Sequence, residues 1–184
     1  HGWVVDGEGK AMHKSLGNAI APDEVIKDYG ADILRLWVAS LDYKVDVRLS
    51  KDILKQLSES YRKIRNTARF ILGNLSDFHP DTDSVADDQL EEIDRWALIR
   101  LDQLTAEVRE AYEAFTFHEA FHRMHHFCVV DLSNFYLDVL KDRLYVEKAD
   151  SVTRRAAQTV IYRVLHALTR LIAPILAYTS EEIW

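Results

Sequence analysis

Apolar residues recur at helical spacings over most of this chain. Ile53, Leu57, Tyr61, Ile64, Ala68, Ile71 and Leu75 follow one another at intervals of three and four, which places them on one stripe of a single helix. Ser50 stands where the N-cap of that helix belongs, and the helix should reach about Leu75. The polar, proline-bearing run 73–88 then reads as a connection. Further helices are expected from about Gln89 to Ala114, from Phe117 to Tyr145 with a bend near "VVDLSN", and from Val152 to about Ala173, ahead of Pro174. The first fifty residues follow a different rhythm. "HGWVV" is a short β-branched and aromatic run that reads as a strand, and "DGEG" after it reads as a turn. Pro22 opens a short helix with acids in its first turn and Gly30 at its C-cap, and "ADILRLWVAS" supplies a second.

Composition agrees with this pattern and adds limits. Hydrophobic residues make up 48% of the 184 and charged residues 29%, while only six glycines and three prolines leave little room for loops. The expected fold class is mainly α: an antiparallel helix bundle preceded by a short strand and loop. The single cysteine, Cys128, rules out an internal disulfide framework and fits a reducing, cytoplasmic setting. Arg170 and Pro174 interrupt the most apolar late stretch, residues 164–178, so no membrane segment is expected. A start at His1 and a stop at Trp184 inside an apolar pattern read as a piece cut from something longer. The net charge is −7, yet it is unevenly spread. Residues 81–94 hold seven acids and no base, whereas residues 51–69 hold six bases against Asp52 and Glu59.

The candidate chemistry begins in "DGEGKAMHKSLGN", residues 6–18. A phosphate-binding P-loop would need glycine five residues before the Gly9-Lys10 pair and a hydroxyl residue after it; Val4 and Ala11 occupy those positions, so the match fails. Composition alone leaves a glycine-rich hairpin carrying surface lysines. The order of residues says more. "AMHKSLGN" followed by "AIAPDEVIKDYGADILRLWVASLDY" resembles the second signature, K-M-S-K-S, of the class I aminoacyl-tRNA synthetases and its downstream helices. His1-Gly2, the "DGEG" turn, Gly17-Asn18, Pro22 and "GADILR" at 30–35 all match that family's pattern. "DILRLWVASLDY" and the later "FCVVDLSNFYLDVLKDRLY" resemble its isoleucine branch more than its valine or leucine branches. Two positions depart: Ala11 stands where the family has its first lysine, and His13 where it has its first serine.

The resemblance implies ATP-dependent activation of isoleucine, with Mg2+, and transfer of the aminoacyl group to tRNA(Ile) by a monomeric parent enzyme that needs neither DNA nor a membrane. It implies Lys14 and Ser15 as catalytic residues, and Lys14, Met12, His13, Lys10 and Gly2 as ATP contacts. A mobile lysine ammonium suits the charge that develops as pyrophosphate leaves, and Lys10 is a candidate to supply charge missing at Ala11. Residues 1–48 would end the catalytic domain and 49–184 form the anticodon-binding bundle. The fragment alone is expected to be inactive.

On the helix after Ser50, Lys55, Arg62 and Arg69 repeat every seven residues with Arg65 beside them. They form a basic stripe away from the apolar one. By itself that is an ordinary solvated face; given the resemblance, it is a tRNA-binding surface whose phosphate contacts weaken with salt. A noncatalytic RNA-binding module and a protein-binding helical scaffold are the alternatives. In "FHEAFHRMHHFC", His118, His122 and His125 flank a face formed by Phe117, Phe121, Met124 and Cys128, and no convergent carboxylate suggests a metal site. Trp37, Trp96 and Trp184 read as packing residues.

Overall fold

A computed structural model describes residues 2–184; His1, half of the expected His-Gly pair, lies outside the described residues. Strand β1 (Val4–Val5) pairs in parallel with β2 (Val47–Arg48), and between them stand the loop and helices α1 (Pro22–Tyr29) and α2 (Ala31–Ala39). The sequence gives no sign of a strand at 47–48, since two residues are too short to show an alternating pattern. Gly30, at φ +92°, ends α1 and turns the chain directly into α2. Val25, Ile33, Leu36 and Trp37 of these two helices belong to the same buried cluster as the bundle, so the connector shares the bundle's core.

Helix α3 (Lys51–Gly73) begins where expected, with Ser50 Oγ accepting from the Ile53 amide at 3.3 Å. Its seven apolar-stripe residues are buried or half-buried, joined by Leu54 and Thr67. The following connection contains the short turn α4 (Pro80–Asp83) and leads to α5 (Glu92–Glu113). Then come α6 (Phe117–His126), a run of wider π-type turns over Phe127–Tyr136, and the short helices α7 (Leu137–Val139) and α8 (Lys141–Tyr145). The bend expected near "VVDLSN" is therefore a local widening of the helix. Thr67 of α3 meets that run, with its hydroxyl 2.9 Å from Ser133 Oγ. Helix α9 (Val152–Ile172) crosses the centre of the bundle, and after Pro174 the chain turns into α10 (Ala177–Ile183).

Two ionic clusters tie the bundle ends together. Arg143 of α8 donates to both oxygens of the buried Asp94 at 3.0 and 2.8 Å, and Tyr136 donates to the same carboxylate at 2.7 Å. Burial, and then the Asp94 charge beside it, push the Tyr136 phenol well above its ordinary range. Arg154 of α9 grips Asp77 with two hydrogen bonds, 2.6 and 3.0 Å.

Candidate nucleotide loop and RNA-facing surface

The loop at 6–18 is a folded object with its own polar skeleton. Val5 and Ala11 form an antiparallel bridge, and the Asp6 amide donates to the Lys10 carbonyl at 2.9 Å. Asp6 Oδ1 accepts from the amides of Glu8 and Lys10 at 3.0 and 2.9 Å, while Oδ2 accepts from Asn18 Nδ2 at 2.8 Å. Asn18 then returns across the loop: its Oδ1 accepts from the His13 amide at 2.9 Å and its Nδ2 donates to the Ala11 carbonyl at 3.1 Å. The Asn18 hydrogen bond and the loop amides hold the Asp6 carboxyl below its usual range. In sequence Asp6 and Asn18 stand out only as parts of the "DGEG" and "GN" motifs. Their signal was present: two amide-seeking side chains bracket a run rich in glycine.

This skeleton presents the expected residues unequally. Lys14 and Ser15 lie on an exposed single turn, Lys14–Leu16, closed by Gly17 at φ +65°. Among the described residues Lys14 has no ion-pair partner, whereas Lys10 Nζ sits 2.8 Å from Glu8 Oε2. Met12 is half-buried against the core, and His13 is exposed. Gly2 has a steric role: a Cβ there would lie 2.1 Å from the Val45 carbonyl oxygen. The Leu49 amide donates to the Val5 carbonyl at 2.9 Å, so β1 delivers the loop beside the start of α3.

Along α3 the basic stripe divides. Lys55, Arg62 and Arg69 share the exposed face, with Arg62 paired to Glu59 at 2.7 Å. Arg69 lines an open cavity of about 540 Å3 with Asn66, Phe70, Asn74 and the exposed ring of Tyr145. Arg65 turns the other way. It meets Glu182 of α10 at 2.5 Å and donates to the Tyr61 hydroxyl at 3.2 Å.

The histidines of α6 flank its buried face, where Phe121, Met124 and Cys128 pack. His125 Nε2 and His118 Nδ1 are buried and make no hydrogen bond among the described residues. Burial first, and then Lys63, His122 and His126, push the His125 pKa down. Trp37 is buried, with Nε1 donating to the Arg48 carbonyl at 3.1 Å, and Trp96 stands edge-on to Phe135. Trp184 packs only in part: the residue is 70% exposed, with its ring 5.0 Å from the His166 ring and 5.5 Å from the Arg170 guanidinium.

A joint between connector and bundle lies at "GADILR", residues 30–35. Asp32 Oδ2 accepts from the Thr179 amide and hydroxyl at 2.8 and 2.6 Å, capping α10. Arg35 donates to the carbonyls of Ile175 and Pro174, both at 2.8 Å. The amides of Tyr178 and Thr179, which would serve those carbonyls in a continuous helix, donate to Asp32 instead, and the guanidinium fork satisfies both carbonyls.

Residues 94–184 match the family described as the anticodon-binding domain of tRNA ligase, and residues 1–50 match tRNA synthetases class I (I, L, M and V). Isoleucine–tRNA ligase of Syntrophotalea carbinolica is 62% identical over the whole chain, and that of Caldicellulosiruptor saccharolyticus 61%. The chain spans 20% of the length of each of these relatives. In fold it is similar to Mycobacterium tuberculosis methionyl-tRNA synthetase in complex with methionyl-adenylate, at a TM-score of 0.81 and 20% identity, covering 100% of this chain and 36% of that one. It is also similar to LeuRS in a ternary complex with tRNA and LeuAMS from Agrobacterium radiobacter K84, at 0.74 and 24%, covering 100% and 21%. With class I synthetase and anticodon-binding models matching residues 1–50 and 94–184, and isoleucine–tRNA ligases 61–62% identical over all 184 residues, the chain belongs to the class I aminoacyl-tRNA synthetases, in the isoleucine–tRNA ligase group.

Proposed function

We propose that the protein carrying this chain activates isoleucine with ATP and transfers it to tRNA(Ile), and that this chain supplies the loop that closes on the phosphates and a surface that holds the tRNA. The observation that carries the reading is the state of Lys14: an exposed ammonium without an ion partner among the described residues, on a turn held by Asp6 and Asn18. Attack of the isoleucine carboxylate on the α-phosphorus of ATP forms the aminoacyl-adenylate and expels pyrophosphate. Lys14 stabilises the charge that develops on the departing oxygens, and Ser15 donates a hydrogen bond beside it. Because Lys10 is paired with Glu8, Lys14 is the stronger candidate for that role.

Among the described residues no three His, Cys, Asp or Glu side chains are grouped to hold a metal ion. Mg2+, on this reading, arrives with the nucleotide. Transfer then needs the tRNA held in register, and Lys55, Arg62 and Arg69 offer phosphate contacts. The cavity of Arg69, Asn66 and Tyr145 has the chemistry for an unstacked base: a stacking ring, an amide for a base edge and a cation.

In the full-length protein, Lys14→Ala should lower isoleucine-dependent ATP–pyrophosphate exchange roughly a hundredfold, about 3 kcal/mol of transition-state stabilisation, while equilibrium binding of isoleucine stays the same. Equal loss of both overturns the assignment. Arg69→Ala should weaken tRNA binding and reduce its salt dependence by about one phosphate contact.

A further inference from the structure

The joint between connector and bundle contains a hydrogen-bond chain whose direction can be assigned. The Asp32 carboxylate only accepts, so the single hydroxyl proton of Thr179 is committed to it at 2.6 Å. The 2.9 Å contact between Tyr61 and Thr179 must then run from the tyrosine O–H to the threonine oxygen. Tyr61 in turn accepts from Arg65 Nη1 at 3.2 Å. The chain therefore runs one way, from the Arg65 guanidinium through Tyr61 and Thr179 to Asp32, and each bond polarises the next.

Its two ends lie on different functional parts. Arg65 and Tyr61 are on α3, the helix that bears the basic stripe, while Asp32 is on α2, whose Trp37 donates to the Arg48 carbonyl of β2. That strand pairs with β1, and β1 runs directly into the loop that carries Lys14. Arg65 is already committed to Glu182 and Tyr61, so it is poorly placed to be a simple phosphate ligand.

We propose that Asp32, acting through Thr179, Tyr61 and Arg65, is a positioning residue for aminoacyl transfer: it fixes the angle at which the loop-bearing connector meets the tRNA-facing helix α3. The inference rests on the ligase reading above. It predicts a separation of the two half-reactions, because activation needs only the loop whereas transfer needs loop and tRNA in register.

The test uses the full-length protein with Tyr61→Phe, Thr179→Val, Thr179→Ser, the Tyr61→Phe/Thr179→Val pair and Asp32→Asn. Exchange without tRNA should stay within about twofold of the parent. The kcat for aminoacylation should fall about tenfold in Tyr61→Phe and Thr179→Val, with KM for tRNA little changed, since misalignment slows transfer without removing a contact. The pair should be no worse than the poorer single variant, and Thr179→Ser, which keeps the hydroxyl, should restore transfer. Exchange and transfer falling in parallel, a defect confined to KM for tRNA, or no defect in either single variant would each overturn the proposal. If Asp32→Asn fails to fold, the Tyr61 and Thr179 variants still decide. Absence of isoleucine-dependent exchange in the parent protein would instead remove the ligase reading.

Discussion

Asn18 shows how much a single amide can organise. Its oxygen takes the His13 amide while its nitrogen serves both Asp6 and the Ala11 carbonyl, so both ends of the side chain are committed to one loop. Only asparagine supplies an acceptor and donors in that geometry. Aspartate would replace the donor facing Asp6 with a second carboxylate. Asn18→Asp should therefore loosen residues 6–18 more than Asn18→Ala does. Limited proteolysis of the loop should accelerate about fivefold in the alanine variant, as for the loss of a hydrogen bond, and further in the aspartate one. The pH sense follows from the lowered Asp6 pKa. Loop order is complete above the ordinary carboxyl value of 3.8 and is lost as pH falls toward the depressed value in the folded loop. Equal cleavage rates in all three proteins would show that the loop does not depend on Asn18.

At the scale of elements, the contact between the connection after α3 and the start of α9 is made by charge. Asp77 accepts from Arg154 and from Gln158 Nε2, and these partners, Arg154 foremost, lower its pKa from 3.8 to about 2. A carboxyl depressed in the folded state stabilises the fold above pH 3.8, and that contribution disappears as pH falls through about 2. Its side chain is 39% exposed, so solvent screening reduces the full linkage value to about 1 kcal/mol. Asp77→Asn should lower the thermal midpoint at pH 7 and flatten the loss of stability between about pH 4 and 2; a parallel acid curve would assign that loss elsewhere. The Asp77–Arg154 contact was not legible in the sequence, because its partners lie far apart in the chain and no periodicity relates them. The helices were legible wherever packing imposes a period: the stripe on α3, the Ser50 cap, and Pro22 with Gly30 around α1. Thr67 and the π-type turns were not, since a polar residue at the buried α3 contact and an extra residue per turn both break the simple pattern. In the candidate site, Lys14 was reached through the resemblance. Asp6 and Asn18, which hold its loop, and Asp32, which joins α2 to α10, needed the fold, because hydrogen-bond partners are a property of three dimensions.

Across the whole molecule, one buried cluster runs from Val25 and Ile33 in the connector to Ile175 and Leu176 before α10, so the connector should not unfold apart from the bundle. Cys128 is placed to report this. It lies fully buried in the π-type run, and burial pushes its thiol up to about 12, so the reactive thiolate is suppressed in the folded state. A water-soluble disulfide reagent should therefore react only with molecules that have opened, at the intrinsic thiol rate multiplied by the open fraction. For a domain with a stability of about 8 kcal/mol, that fraction is on the order of one in a million. If opening is global, the labelling rate rises with denaturant along the full unfolding slope, and Asp77→Asn, on a distant element, accelerates it by about fivefold, the factor that about 1 kcal/mol implies. If the π-type turns instead open by themselves, labelling is faster, nearly independent of denaturant and unaffected by Asp77→Asn. The shared core favours the first result, because Cys128 cannot meet the reagent without parting the contacts that α3, α5 and α6 make with the π-type run.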